Sequence, residues 1–102
     1  MKPQLVDARP EAEFERGHFA GAVPLAPDAV LVFAERELPL KSRALLVYGA
    51  KSNDAAVSQT VAELLKLGFE SVDAAPFGFD DKPEDLKVEV GPARWEIVGC
   101  GG

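Results

Sequence analysis

Short segments with the composition of β-strands alternate along this chain with segments in which apolar residues recur every three or four positions. The strand-like segments are residues 4–8 (QLVDA), 21–25 (GAVPL), 44–48 (ALLVY) and 70–74 (ESVDA). ALLVY is uninterrupted apolar sequence, which is typical of a central parallel strand covered on both faces. Because strand and helix patterns alternate as far as residue 75, the sequence predicts an α/β domain with helices flanking a mostly parallel sheet of about five strands.

Three helices are predicted between these strands. The first spans residues 10–16, between a proline that suits a helix start and a glycine that ends it. The second begins at residue 27 or 28 and ends at the proline at 39, and the third runs from residue 53 or 54 to 67 with a glycine C-cap at 68. The residues predicted to face the core are Val30, Phe33 and Ala34 in the second helix, and Val57, Val61, Leu64 and Leu65 in the third.

The pattern changes after residue 75. Residues 86–98 (LKVEV-GPA-RWEIV) alternate between apolar and polar on both sides of a Gly-Pro turn, which predicts a short C-terminal hairpin. No linker long enough to separate two domains is present. We therefore interpret residues 1–102 as a single domain in which residues 83–102 form a C-terminal extension.

The composition narrows the possible partners. Apolar residues make up 47% and charged residues 27% of the chain, a globular balance, and the formal net charge of -6 disfavours binding to nucleic acid or to an anionic membrane. A single cysteine cannot form an internal disulfide, and we find neither a signal peptide nor a membrane-length apolar stretch, so the cytoplasm is the expected location. Eight prolines and one asparagine would suit a protein from a thermophile.

One stretch of sequence carries a family resemblance. LVDARPEAEFERGHFAGAVPL, residues 5–25, resembles the opening motif of rhodanese-like domains, and the resemblance extends over about residues 4–80, to a helix that ends in Gly68-Phe69 and a glycine turn near Gly78. It implies the three-layer rhodanese-like fold. The motif positions in this chain are Asp7, Arg9, Glu13, Phe14, Gly17, His18, Gly21, Ala22 and Pro24.

These motif residues are expected to be mainly structural. Gly17 and Gly21 bracket a tight crossing where side chains would restrict the backbone. Asp7 and Arg9 lie at the C-terminal end of a strand, on the sheet edge where α/β proteins bind ligands, and we interpret them as a loop brace rather than as catalysts. His18 has the chemistry of a general acid or base, but no nucleophile or metal partner is visible for it, so we favour a structural role.

The loop after ALLVY lacks the residue on which the family's chemistry depends. The resemblance implies a cysteine there that carries sulfur as a persulfide. Backbone N–H groups at a helix N-terminus surround the sulfur. Aligning on the strand places Gly49 at that position, whereas aligning on the helix places Lys51 there, and neither residue can carry sulfur. The equivalent of the active-site loop is Gly49, Ala50, Lys51, Ser52, Asn53 and Asp54.

The same loop offers two further interpretations. Ser52, Asn53 or Asp54 is suited to cap the following helix. A ring of N–H groups can also hold a small anion without a thiol, although Asp54 would compete with that anion if its carboxylate caps the same donors.

These observations predict a rhodanese-like binding or regulatory module for a small anion or a sulfur-trafficking protein, with no sulfur transfer from its loop and with no cofactor or metal. The alternative is a sulfurtransferase or sulfur carrier that uses Cys100, which lies in a Gly-Cys-Gly-Gly tail.

Two other protein classes share single features with the chain. The terminal Gly-Gly resembles that of the ubiquitin-like sulfur carriers, but the order of helices and strands does not. Cysteine-based phosphatases and arsenate reductases share the fold and need the missing thiol. The sequence leaves the oligomeric state open.

Overall fold

In the computed structural model of the chain, residues 3–38, 41–51, 54–81 and 85–91 are described. The strands are β1 (Gln4–Asp7), β2 (His18–Phe19), β3 (Val23–Pro24), β4 (Leu45–Tyr48), β5 (Val72–Ala74) and β6 (Val88–Glu89). The helices are α1 (Glu11–Arg16), α2 (Val30–Glu37) and α3 (Ala55–Lys66).

Four of the strands form one parallel sheet in the order β3-β1-β4-β5. Strand β4 pairs with β1 on one side and with β5 on the other, so the ALLVY segment is internal, as its uninterrupted apolar sequence predicts. The α/β class and the mostly parallel sheet are confirmed, with four strands in the main sheet. The register aligns Asp7 of β1 with Tyr48 of β4, which places the two strand ends side by side.

A second sheet has two short antiparallel strands, β2 and β6, with His18 opposite Glu89 and Phe19 opposite Val88. The sequence did not predict β2, because two residues are too few to show a period. Strand β6 is part of the first arm of the predicted hairpin, and the arm is paired here with β2. The second arm, with Trp95, lies outside the described residues.

The two faces of the main sheet carry separate apolar clusters, as the alternation of side chains along a strand requires. Val6, Leu45 and Val47 pack with residues of α2 and α3, among them Ala34 and Leu64. The opposite face holds Phe19, Tyr48 and Ala75, against which Leu5, Leu46, Phe77 and Phe79 pack. Both faces of β4 are therefore covered.

Helix α2 begins later than its sequence predicts. Residues 27–29 form turns, with the N–H of Ala29 donating to the Ala26 carbonyl at 2.8 Å, and the helix starts at Val30. Val30 and Ala34 are buried as predicted, whereas the side chain of Phe33 lies outside the described residues.

The predicted core stripe of α3 is partly wrong. Val57 and Leu64 are buried and Val61 is partly buried, but Leu65 is 49% exposed. Thr60 is buried instead, and its hydroxyl donates to the Leu25 carbonyl at 3.1 Å, which lets a polar residue lie in the core. Gly68 follows the helix with φ of +98°, a conformation that favours glycine and confirms the predicted C-terminal stop.

The contrast between Leu64 and Leu65 predicts different costs for the same truncation. Leu64→Ala removes a fully buried side chain from the α3 side of the sheet, so we expect the free energy of unfolding to fall by about 2–5 kcal/mol. Leu65→Ala is the matched control on the neighbouring helix position and should cost less than about 1 kcal/mol. Urea unfolding of both variants measures the difference, and equal losses would contradict this assignment of the core.

Candidate functional site

The candidate site lies at the carboxyl edge of the main sheet, where α/β proteins commonly bind ligands. Because β1 and β4 end in register, the segment that follows Asp7 lies against the loop that follows Tyr48, and the N–H of Ala8 donates to the Tyr48 carbonyl at 2.8 Å. Helix α3 begins at this edge with Ala55.

A buried carboxylate, that of Asp7, organises the first part of this edge. Arg9 donates to it three times: from Nε at 3.0 Å, from Nη2 at 2.8 Å and from its backbone N–H at 2.9 Å. The Tyr48 hydroxyl donates to the same carboxylate at 3.0 Å and accepts from the N–H of Phe19 at 3.1 Å. The network joins β1, β4 and β2, which is the geometry of a brace.

The guanidinium of Arg9 has two further partners. Its Nη2 donates to the carbonyl of Gly17, and its central carbon lies 4.1 Å from the centre of the Phe79 ring, in a cation–π contact. The guanidinium of Arg9 is therefore held by three neighbours, and its charge is balanced within the protein by Asp7.

His18 is likewise held by neighbours. Its Nδ1 lies 2.8 Å from the Phe14 carbonyl, which only accepts, so Nδ1 is the protonated donor. The imidazole stacks on the Phe14 ring at 3.7 Å between centroids, and Nε2 lies 3.6 Å from Glu89 Oε1. These contacts tie α1 to β2 and β6.

The remaining motif residues lie around this brace rather than in a reaction centre. Glu13 forms a surface ion pair with Arg16 at 3.1 Å, and Ala22 packs at the edge of the Phe19 cluster. Gly21 has φ of +83°, as its predicted role requires. Gly17 does not, because its φ of 167° is extended backbone; a Cβ there would instead lie 3.2 Å from Phe79 Cζ, so close packing is the constraint.

The loop after β4 is closed at its first residue. Gly49 is buried, and a Cβ built on it would lie 2.9 Å from Val57 Cγ2 and 3.0 Å from Asp54 Oδ2. The contact with Val57 is shorter than real Cβ atoms make and the contact with Asp54 lies at that limit, so a side chain at this position requires Val57 or Asp54 to shift.

The loop is also fastened from the other side by the segment around Gly78. A Cβ on Gly78 would collide with the Ala50 carbonyl and with Lys51 Cα. The next two N–H groups, of Phe79 and Asp80, donate to the carbonyls of Gly49 and Ala50 at 2.8 and 3.0 Å. Gly78 is therefore required by close backbone approach, and the course of residues 49–51 is set by it.

The carboxylate of Asp54 links the start of this loop to the start of α3. Its Oδ2 accepts from the N–H of Ala50 at 3.3 Å, and its Oδ1 accepts from the N–H of Ala56, in the first turn of α3, at 3.0 Å. Asp54 is thus the N-cap of α3. Lys51 is exposed, whereas Ser52, Asn53 and Cys100 lie outside the described residues.

A cleft of about 570 Å³ opens at the same edge of the sheet, a feature that sequence reasoning missed. It lies between the segment after β1, the segment from β3 to α2, and the first two turns of α3. The lining residues include Arg9, Pro10, Pro24, Pro27, Ala56 and Gln59. Only the prolines at 10, 24 and 27 hint at it in the sequence, because three separate segments build the cleft.

Two negative findings apply to the described part of the chain. No group of three His, Cys, Asp or Glu side chains there is arranged to hold a metal ion. None of the helices seen there has the length and apolar character needed to cross a membrane.

The comparison with known proteins gives one family and several solved structures. The family model for the Rhodanese-like domain matches residues 1–81. The rhodanese-like domain of the Alr3790 protein from Anabaena has 30% sequence identity and a TM-score of 0.73, with 88% of this chain and 94% of that chain covered. No curated protein sequence gives a significant match.

Two more distant structures share the fold. A rhodanese with anions from E. coli has 19% identity and a TM-score of 0.72, with 88% of this chain and 100% of that chain covered. A thiosulfate sulfurtransferase from Pseudomonas aeruginosa has 18% identity and a TM-score of 0.74, but the match covers 86% of this chain and only 17% of that chain.

The Tyr48 hydroxyl gives the buried network a pH dependence. Burial, and then the negative charge of Asp7, raise the pKa of Tyr48 well above its ordinary value of about 10. Because the folded-state pKa is the higher one, the stabilisation is complete below about pH 10 and is lost as the pH rises above it. Tyr48 is the only tyrosine in the chain, so phenolate absorbance reports on it alone.

We therefore expect the folded protein to show no phenolate absorbance at about pH 10–11, while the urea-unfolded protein titrates near pH 10. The free energy of unfolding should fall over this range, and it should fall less steeply in Tyr48→Phe. A folded protein that titrates near pH 10 would contradict the buried position of the hydroxyl.

Proposed function

The chain belongs to the rhodanese-like domain family, and from that premise we propose that its 49–54 loop transfers no sulfur and that the domain acts as a binding module for a protein partner. The observation that carries the proposal is the position of the Asp54 carboxylate, which accepts from the N–H of Ala50 at the start of the loop and from the N–H of Ala56 in the first turn of α3. In catalytic relatives, the resemblance implies, such donors surround the sulfur of a cysteine.

The residues of this loop cannot replace that sulfur. Gly49, the strand-aligned equivalent, has no side chain, and a side chain there would require Val57 or Asp54 to shift. Lys51, the helix-aligned equivalent, is exposed and ends in an amine, which does not form a persulfide. A sulfane sulfur therefore has no acceptor at either aligned position.

A small anion is also a poor occupant of the loop. It would have to displace a carboxylate that is attached to the chain and already bonded to both donors, and two like charges at such short range repel. The E. coli rhodanese with anions supports anion binding in that protein, whereas this loop carries its own anion. A protein partner that contacts the outer surface meets neither obstacle, so it is the ligand we propose.

The first test is sulfur transfer itself. Incubated with thiosulfate and cyanide, both the wild type and Cys100→Ser should form thiocyanate no faster than a blank without protein, and mass spectrometry should show no gain of a sulfur atom. Thiocyanate formation that disappears in Cys100→Ser would instead establish the alternative, a sulfurtransferase or carrier that uses Cys100. Formation that persists in the variant would overturn the proposal for the loop.

The second test asks whether Asp54 blocks an anion site. Asp54→Ala removes the N-cap and should lower the free energy of unfolding by about 1 kcal/mol. It also frees the two N–H groups, so sulfate should stabilise this variant more than the wild type, by about 1.4 kcal/mol when sulfate reaches roughly ten times its dissociation constant.

Thermal unfolding in sulfate and in chloride of equal ionic strength measures the difference. Asp73→Ala is the matched control, because it removes an exposed carboxylate from β5 without touching the loop. Equal sulfate stabilisation of the wild type and Asp54→Ala would show that Asp54 does not occupy the anion position.

A further inference from the structure

The cleft beside the loop has the size and place of a binding site. Its volume of about 570 Å³ lies within the range of about 300–1,000 Å³ typical of ligand sites, and it opens at the carboxyl edge of the sheet. Its walls come from the segments after β1 and β3, from the turn before α2 and from the start of α3.

The lining is largely apolar and stiff. Pro10, Pro24 and Pro27 contribute rings with fixed backbone φ, and Ala8, Ala26, Ala29 and Ala56 contribute small methyl surfaces. Val32 is 69% exposed at the cleft and adds an aliphatic surface there. A preformed surface of this kind loses little conformational entropy when a ligand binds.

The charge that the cleft presents to a ligand is that of Asp28. Arg9 is the one cationic residue among the described residues that line it, and its guanidinium is engaged by Asp7, by the Gly17 carbonyl and by the Phe79 ring. The side chain of Asp28 is exposed at the cleft. An apolar floor beside an exposed carboxylate is complementary to a cation on an apolar stem.

Lysine and arginine have that shape, since their methylene stems pack on apolar surface while the charged end reaches a polar group. We infer that the cleft binds a short extended segment of a partner protein in which a lysine or arginine lies beside aliphatic residues. This inference rests on the proposed function and names the surface and chemistry of the partner. The basic side chain lies along the prolines with its charge at Asp28, and the aliphatic neighbours pack toward Val32.

The test selects the ligand from a random library of short phage-displayed peptides on immobilised wild-type protein. Enriched peptides should carry lysine or arginine next to aliphatic residues. One enriched peptide, synthesised and titrated into ¹⁵N-labelled protein, should shift the amide resonances of Ala26, Ala29, Ala56 and Gln59 most strongly, and its affinity should fall as salt is raised.

Two charge-matched variants separate the cleft from the general negative charge of the protein. Asp28→Lys should weaken binding of that peptide roughly tenfold or more, because it places a like charge beside the bound cation. Asp73→Lys makes the same charge change on exposed strand β5, at the other edge of the sheet from β3, and should change the affinity by less than roughly twofold. Val32→Ser should weaken binding through lost apolar contact alone.

Several outcomes would overturn the inference. They are no enrichment, enrichment of peptides without basic residues, shifts confined to other surfaces, or equal losses in Asp28→Lys and Asp73→Lys. Shifts around Lys51 instead of the cleft would overturn this inference but would agree with the proposed binding function at a different surface. Failure of the proposed function is separately visible as thiocyanate formation.

Discussion

A charged carboxylate without access to water has to be neutralised by its neighbours, and in this domain Asp7 imposes that requirement on three strands at once. Four donors meet it: the backbone N–H, Nε and Nη2 of Arg9, and the hydroxyl of Tyr48. Removing a partner from such a buried pair typically costs about 3–5 kcal/mol. The course of the chain after β1, the end of β4 and the position of β2 are therefore fixed together, and both the loop and the cleft are built on that frame.

A second carboxylate at the same edge, that of Asp54, has a different role. Here the unsatisfied groups are donors, the N–H groups at the start of α3 and after β4, and the carboxylate supplies the acceptor. Asp7 is neutralised by a cation, whereas Asp54 is held by backbone dipoles. Both carboxylates at this edge therefore have their hydrogen-bond partners within the protein.

The sequence predicted the parts of the fold that local patterns determine. The period of α3, its glycine stop and the apolar run of β4 could be predicted because each depends on neighbouring residues. The motif around Asp7 and His18 identified the family resemblance. Strand β2 escaped prediction because its partner β6 lies far along the chain and both strands have two residues. Leu65 was misplaced because the three-and-four spacing permits two adjacent stripes, and only packing against the sheet selects Leu64 and Thr60.

Gly49 and Gly78 together decide how easily this loop can change its chemistry. A thiol gained at position 49 by one substitution would meet Val57 and Asp54, and residues 50 and 51 cannot retreat because Gly78 lies directly against them. A side chain at that position therefore requires Val57 or Asp54 to shift. The room for a thiol there is thus set by two neighbouring side chains and not by residue 49 alone.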